Sequence, residues 1–151
     1  MRLALAQAAR AREQGEVPVG AVLVLDAAVI GTGYNQPISA HDPTAHAEVV
    51  ALRAAAASRQ KYPHTGSIMY VTVEPCRMCV GAMVHARVGT VVYGAAEPRA
   101  GALVSMASAH EFGGLNHRLA AVGGVLDDEC RAILQAFFKE RRSSPRTVDP
   151  E

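Results

Sequence analysis

The sequence has no tryptophan, and aromatic residues make up only 5% of its 151 residues. Any role that needs a stacked ring therefore falls on a few side chains. Cysteine is scarce and odd in number, three in all. That argues against a disulfide framework and for a reducing compartment. No apolar run is long enough to span a bilayer. The start, Met1 to Ala6, has the apolar look of a leader, but Gln7, Arg10 and Arg12 interrupt it early. A cytoplasmic protein with no membrane partner is expected, and one without an N-terminal extension before its first helix. An excess of one charge is also missing. The formal net charge is +1, short of the strongly basic balance that marks many nucleic-acid binders. The total does not say where the charges sit. Lys139, Glu140, Arg141, Arg142 and Arg146 form the best local basic cluster, either a solvated helix end favoured by the macrodipole or a polyanion contact.

What is present is a packed globule: half of the residues are hydrophobic and 19% are charged. The length suits one domain, and no repeat or linker divides it. We expect a single domain over residues 1–142 and a frayed tail over 143–151. A first helix is expected from Arg2 to Gln14, with Leu3, Ala6, Ala9 and Arg10 near helical spacing and Gly15 as the stop. Strands from Val17 to Leu25 and Val29 to Tyr34 read as a hairpin around Asp26-Ala27-Ala28. A loop from Asn35 to His41 leads to a second helix, capped by Asp42 or Thr44, with a small-residue face at Ala47, Val50, Ala51 and Ala54. Then come a strand from Ser67 to Val73, a helix from Cys76 to about Arg87 with Pro75 in its first turn, and a strand from Thr90 to Tyr93. After a loop from Gly94 to Gly101, a short helix is expected over Leu103–His110 and irregular chain over Phe112–Arg118. A weak strand over Val122–Leu126 and a last helix capped by Asp127 and running to Arg142 complete the order. A hairpin followed by strand–helix alternation predicts an α/β fold, three-layer α/β/α with a five-stranded mixed sheet.

The chemistry concentrates in two short runs. Cys76 and Cys79 in Pro75-Cys76-Arg77-Met78-Cys79 stand i and i+3 on a helix start, so both sulfurs share a face. A thiolate there is favoured by the local positive potential. His46 offers a neutral imidazole as third ligand. Two sulfurs, one nitrogen and an open fourth position are the donor set of a catalytic rather than a structural zinc site. No second C-x-x-C exists to close it, and Cys130, in an amphipathic helical pattern, reads as a small buried hydrophobe. Glu48, two residues past His46, is placed to move a proton at the open position. Two helix starts would converge on one ion, at the carboxyl end of a strand where open α/β sheets put their sites. His64, in a Pro-Gly loop, reads as solvated, and His85 and His110 as structural or surface histidines.

These runs carry a resemblance. H-x-E with P-C-x-x-C is an established signature of zinc nucleobase deaminases. His41-Asp42-Pro43-Thr44-Ala45-His46-Ala47-Glu48, Val71 to Cys79, Gly81 to Arg87, Val91 to Ala95, Asn116-His117-Arg118 and Phe137-Phe138-Lys139-Glu140-Arg141-Arg142 resemble, in order and over nearly the whole chain, the bacterial tRNA-specific adenosine deaminases of the cytidine-deaminase-like superfamily. The resemblance implies a cytidine-deaminase-like fold and a cytoplasmic homodimer holding one zinc ion per subunit and no organic cofactor. It implies hydrolysis of a cyclic amidine C–N bond, converting adenosine to inosine at the wobble position of a tRNA anticodon stem-loop, an arginine tRNA in particular. It gives His46, Cys76 and Cys79 as metal ligands and Glu48 as proton shuttle. Substrate contacts follow at Asn35, Ala47, the Cys76 amide, Glu97, Asn116, Phe138, Arg141 and Arg142. One stretch departs: Ala96-Glu97-Pro98-Arg99 stands where the family commonly has Arg-Asp-x-Lys, so contacts beside the target base are expected to differ.

A target base must leave its stack to reach a buried metal, and a loop nucleotide costs less to extrude than a paired one. Phe138 and Tyr34 are the candidate stacking rings, and Phe137 reads as core. Two other functions use some of the same features. A deaminase of free bases or nucleosides needs the metal chemistry without a basic groove. A non-catalytic zinc-stabilised RNA-binding fold would need a fourth protein ligand, which the sequence does not supply.

Overall fold

The computed structural model describes residues 1–106, 108 and 113–143. The elements run α1 (Arg2–Glu13), β1 (Gly20–Leu25), β2 (Ala28–Tyr34), α2 (Ala47–Arg59), β3 (Ile68–Val73), α3 (Arg77–His85), β4 (Thr90–Ala95), β5 (Ala120–Val122) and α4 (Asp127–Ser143). The strands form one five-stranded sheet in the order β2-β1-β3-β4-β5. β1 is antiparallel to β2 and to β3, while the β3–β4 and β4–β5 pairs are parallel. α1 packs with α4 and α2 with α3, and the two pairs cover opposite faces. This is the three-layer α/β/α architecture with a mixed sheet that the alternation of elements predicts.

Small residues bring the helices unusually close to the sheet. Gly20 lies against α1, where an added Cβ would sit 2.0 Å from the Ala4 carbonyl. Gly33 lies against α2, where it would sit 2.3 Å from the Ala47 carbonyl. Ala21 pairs with Gly33, and Gly20 with Tyr34. Directly paired residues share a face, and neighbours along a strand alternate. The hairpin therefore offers one glycine to each helical layer. The helices answer with alanines every fourth or third residue: Ala4, Ala8 and Ala11 on α1, and Ala47, Ala51 and Ala55 on α2, all fully buried. A side chain at Gly33 would push α2 outward at its first turn, beside the candidate ligand His46. Beneath these contacts Leu23, Met69, Val71, Met83, Val88 and Val91 fill the core.

Several local expectations are corrected. The face of α1 that packs inward is not the one spaced through Leu3, which is 61% exposed. On α2, Val50 is half-buried and Ala54 exposed, while Leu52 and Ala55 turn inward. β1 begins only at Gly20, because Val17 to Val19 is taken up by a tight turn in which the Val19 N–H donates to the Val17 carbonyl at 2.8 Å. Asp26 and Ala27 both have positive φ, the two-residue turn that suits a right-twisted hairpin. Neither Asp42 nor Thr44 caps α2; its N-cap is His46. The Asp42 carboxylate instead accepts from the Thr44 N–H and hydroxyl at 2.8 and 2.7 Å, a turn placed ahead of the helix. Pro75 precedes the Cys76 N-cap of α3 rather than entering the helix. Asp127 is the first residue of α4 and binds Arg131 one turn on. β5 is three residues long and shifted to Ala120–Val122. Residues 102–105 form a turn where a short helix is expected. The rest of that expected segment at Ala107, Ala109 and His110 lies outside the described residues, as do Phe112, Arg146 and the tail from residue 144.

Candidate metal centre and active site

β3 ends at Val73 and passes through Glu74-Pro75 straight into α3, with Cys76 as N-cap and Cys79 in the first turn. α2 starts beside it, with His46 as N-cap and Glu48 in its first turn. Two helix starts thus meet at the carboxyl end of the central strand. The His46 Nδ1 atom lies 3.7 Å from the Cys76 sulfur and 3.6 Å from the Cys79 sulfur. All three donor atoms lie within 4.8 Å of one another. A tetrahedral ion with Zn–S near 2.3 Å and Zn–N near 2.05 Å would separate sulfur and nitrogen by about 3.6 Å. The donors present therefore fit zinc in kind and in spacing, and three of them leave a fourth position for a non-protein ligand.

The thiols are biased toward ligation. The Cys76 thiol is lowered to about 3, first by its hydrogen bond with the Cys79 thiol and then by His46, against the opposing cost of burial. Cys79 moves upward through the same bond and through burial. One proton held between two sulfurs is what a dication displaces on binding. His46 is raised by its hydrogen bond with Cys76, with burial opposing.

Glu48 is 4% exposed. Burial pushes its carboxyl well above the usual carboxylate range, against its own N–H and His46, which favour the ionised form. A carboxyl that holds its proton more readily than in water, beside an open coordination position, is suited to both taking and giving a proton. It lines a pocket of about 130 Å³ together with Asn35, His46, Cys76, Glu74, Glu97 and Val73.

The other candidate residues divide. Asn35 is in this pocket, and its Oδ1 accepts the Ala47 N–H at 3.0 Å. Glu97 also lines it, with Oε1 accepting the Arg99 N–H at 2.9 Å. Phe138, 43% exposed, and Arg142 line a separate cleft of about 500 Å³ with Arg99 and Ala96. Arg141 is turned away from both, stacked over Phe137 and reaching the Gly15 carbonyl, in a groove between α1 and α4. Asn116 does not line the pocket; the Arg87 guanidinium donates to its backbone and side-chain oxygens at 2.9 and 3.0 Å. Tyr34 is occupied by α1: Gln14 donates to its hydroxyl at 2.9 Å, and Arg10 lies over its ring at 4.9 Å. Phe137 and Cys130 are buried, as expected. His64 is not solvated but 1% exposed, because its loop folds back and its N–H donates to the Ala86 carbonyl at 2.7 Å.

Sequence reasoning passed over Glu74. It is 3% exposed, and its carboxylate accepts the N–H groups of Glu97, Leu103, Val104 and Ser105 at 3.1, 3.2, 2.7 and 2.9 Å, together with the Ser105 hydroxyl. Those bonds hold its carboxyl below the usual range although burial opposes them. It thereby holds both ends of the 97–105 loop, whose Glu97 and Ala100 line the pocket. Glu16 plays a smaller part opposite, accepting the Ser39 N–H at 2.7 Å in the loop that carries Asn35. The only signal in the sequence was a charge at the end of an apolar strand.

Comparison with known proteins agrees with this geometry. Residues 1–95 match the family model described as the cytidine and deoxycytidylate deaminase zinc-binding region. The chain is 46% identical over 147 residues to the tRNA-specific adenosine deaminase of Haemophilus influenzae, covering 97% of this chain and 85% of that protein. It is 38% identical to the enzyme of the same name from Bacillus subtilis, covering 98% and 92%. A solved structure from studies of A-to-I editing by tRNA:A34 deaminases at the wobble position of transfer RNA superposes with a TM-score of 0.86 at 39% identity, covering 89% of this chain and 97% of that one.

Proposed function

This chain belongs to the cytidine and deoxycytidylate deaminase zinc-binding family and, within it, to the tRNA-specific adenosine deaminases, and we propose that it hydrolyses adenosine to inosine at the wobble position of a tRNA anticodon, that of an arginine tRNA in particular. The observation that carries this reading is a zinc-fitting His46–Cys76–Cys79 set with the buried Glu48 in the same small pocket.

When bound, zinc supplies a Lewis acid that brings the pKa of water toward neutrality. The chain supplies the rest. Glu48 takes the proton of the attacking water and delivers it to the ring nitrogen beside the amine-bearing carbon. It then takes the remaining proton from the new hydroxyl and hands it to the amine, so that the C–N bond breaks as the carbonyl forms and adenosine and water become inosine and ammonia. The Cys76 N–H, at a helix start, is offered to the new oxygen. Asn35 borders the base and holds the start of α2. A pocket of about 130 Å³ admits a base but not its stacked neighbours, which suits an extruded loop nucleotide. Phe138 and Arg142 border a cleft that suits the rest of the anticodon loop. Arg141, committed to α1, is assigned support of α4 instead.

The same reading takes residues 1–142 as one deaminase domain, working as a cytoplasmic homodimer. An apolar cleft of about 310 Å³ between α2 and α3, bordered by the 72%-exposed Tyr62, supports a second copy there, and light scattering tests it by distinguishing the mass of one chain from that of two. Among the described residues no helix is long and apolar enough to cross a membrane.

The experiment is direct. Zinc-loaded protein is incubated with a panel of unmodified tRNA transcripts carrying adenosine at the wobble base, and separately with free bases and nucleosides; inosine and ammonia are measured. Inosine in the arginine transcript supports the reading. Ammonia from free guanine or cytosine with none from tRNA would replace it. Glu48→Ala is expected to keep zinc and lose on the order of 10²–10⁴ in rate.

A further inference from the structure

Most arginines of this chain are already engaged. Arg2, Arg12, Arg53 and Arg131 pair with Glu129, Glu140, Asp42 and Asp127. Arg10 and Arg141 cover Tyr34 and Phe137. Arg59 donates to His64 and Arg87 to Asn116. Arg77 and Arg99 are exposed, and neither guanidinium has a partner among the described residues. These two line one cleft of about 490 Å³, Arg77 from the start of α3 and Arg99 from the 97–105 loop. Met78 and Met106, 37% and 55% exposed, give it an apolar lining.

The position of this cleft is informative. It shares Cys76 and Ala100 with the metal pocket. It shares Arg99 with the cleft that holds Phe138 and Arg142. It is therefore the connection between the two, one step from where a target base would sit. Its wall on the loop side is not free to drift, since Glu74 accepts hydrogen bonds from residues on both sides of Arg99. Two guanidinium groups without a partner among the described residues, lining one cleft from two elements, are suited to a phosphate, whose oxygens match the planar N–H fork. Exposed thioethers suit the flat apolar face of a ribose or base.

We propose that the Arg77–Arg99 cleft binds the phosphodiester that flanks the target nucleotide, with Arg77 the residue that gives the site its grip from the α3 side. The inference rests on the reading of RNA as substrate. Arg77 is a binding residue in it, not a catalytic one.

The test uses zinc-loaded protein and a fluorescent anticodon stem-loop bearing adenosine at the wobble base, read by anisotropy and by inosine formation. Arg77→Gln is expected to raise Kd and KM on the order of tenfold, with kcat within about twofold, and to reduce the slope of log K against log salt by roughly 0.7–0.9, the value for one phosphate contact. Arg77→Lys recovers part of the loss. Lys61→Gln, an equal change of charge at an exposed position away from the site, changes nothing. A methylphosphonate at one of the two linkages flanking the adenosine weakens the parent protein to a similar degree and Arg77→Gln no further. If Arg77→Gln matches the parent in Kd, KM and salt slope, or if neutral linkages weaken both proteins equally, the cleft is not the phosphate site. A parent protein that makes no inosine from any RNA overturns the functional reading beneath; an active parent with an indifferent Arg77→Gln overturns this inference alone.

Discussion

The side-chain carbonyl of Asn35 accepts the N–H of Ala47 at 3.0 Å. One loop residue after β2 thereby satisfies a free amide at the start of α2, between His46 and Glu48. α2 has no side-chain cap of its own, so a neighbour in space does what a cap residue does in sequence. Asn35→Ala is expected to cost about 1 kcal/mol of stability and to lower activity by more than that cost implies. Asn35→Asp keeps the acceptor and should keep the stability while losing the amide donor that faces the pocket. Chemical denaturation beside kinetics separates the two roles.

Glu74 gathers four backbone N–H groups and a hydroxyl from the 97–105 loop. Glu74→Ala leaves those donors without a partner, at a cost of roughly 2–4 kcal/mol. Glu74→Gln, similar in shape but uncharged and carrying donors of its own, should fold and show the milder defect. In both, amide exchange rises over residues 97–105 while β1 to β3 stay protected, and KM for RNA rises more than kcat falls. Unchanged exchange in that loop would rule out the anchoring role.

His64 predicts a pH dependence of stability. The Arg59 guanidinium can only donate, so the His64 Nδ1 that meets it at 3.2 Å is unprotonated. Burial holds the His64 pKa below its usual value, with Arg59 and then Lys61 adding to the effect and a backbone bond at Leu52 opposing. Arg53 and His85 border the same groove. The unfolded chain therefore takes up the proton first, near pH 6.5. The contribution of His64 is complete above that pH and is lost as pH falls toward the lower folded value. Thermal melts from pH 7.5 to 5 should show this loss in the parent and a smaller one in His64→Asn.

Removal of the metal should cost stability as well as activity. Saturation at 10²–10³ times Kd contributes about 3–4 kcal/mol to the folded state. Chelation is expected to lower Tm, and zinc to restore both Tm and inosine formation. Cys76→Ser and Cys79→Ser should lose zinc measured by mass spectrometry. Cys130→Ser should retain it, since Cys130 is buried against Gly94, where an added Cβ would lie 2.3 Å from its sulfur. Zinc lost from Cys130→Ser alone would challenge the three-ligand assignment.

The donor set was legible because its spacing is local. Cys76 and Cys79 share a helix start whatever the rest of the chain does, and His46 lies two residues before Glu48 in the chain. The α/β alternation was legible for a similar reason, since turn residues and hydrophobic period are read within a dozen positions. Local rules also misled. Asp42 and Thr44 looked like caps but serve a turn, and Leu3 looked like part of an inward face that Ala4, Ala8 and Ala11 occupy.

The sequence by itself determined which atoms could grip an ion and which kind of sheet would carry them. Only the tertiary structure decided that Glu74 would hold the 97–105 loop, that Asn35 would satisfy α2, that His64 would be buried, and that Arg141 would leave the company of Phe138 for α1. Those outcomes join residues far apart in the chain. They depend on how closely α1 and α2 can approach the sheet over Gly20 and Gly33, and that fit is a property of packed surfaces rather than of any one segment.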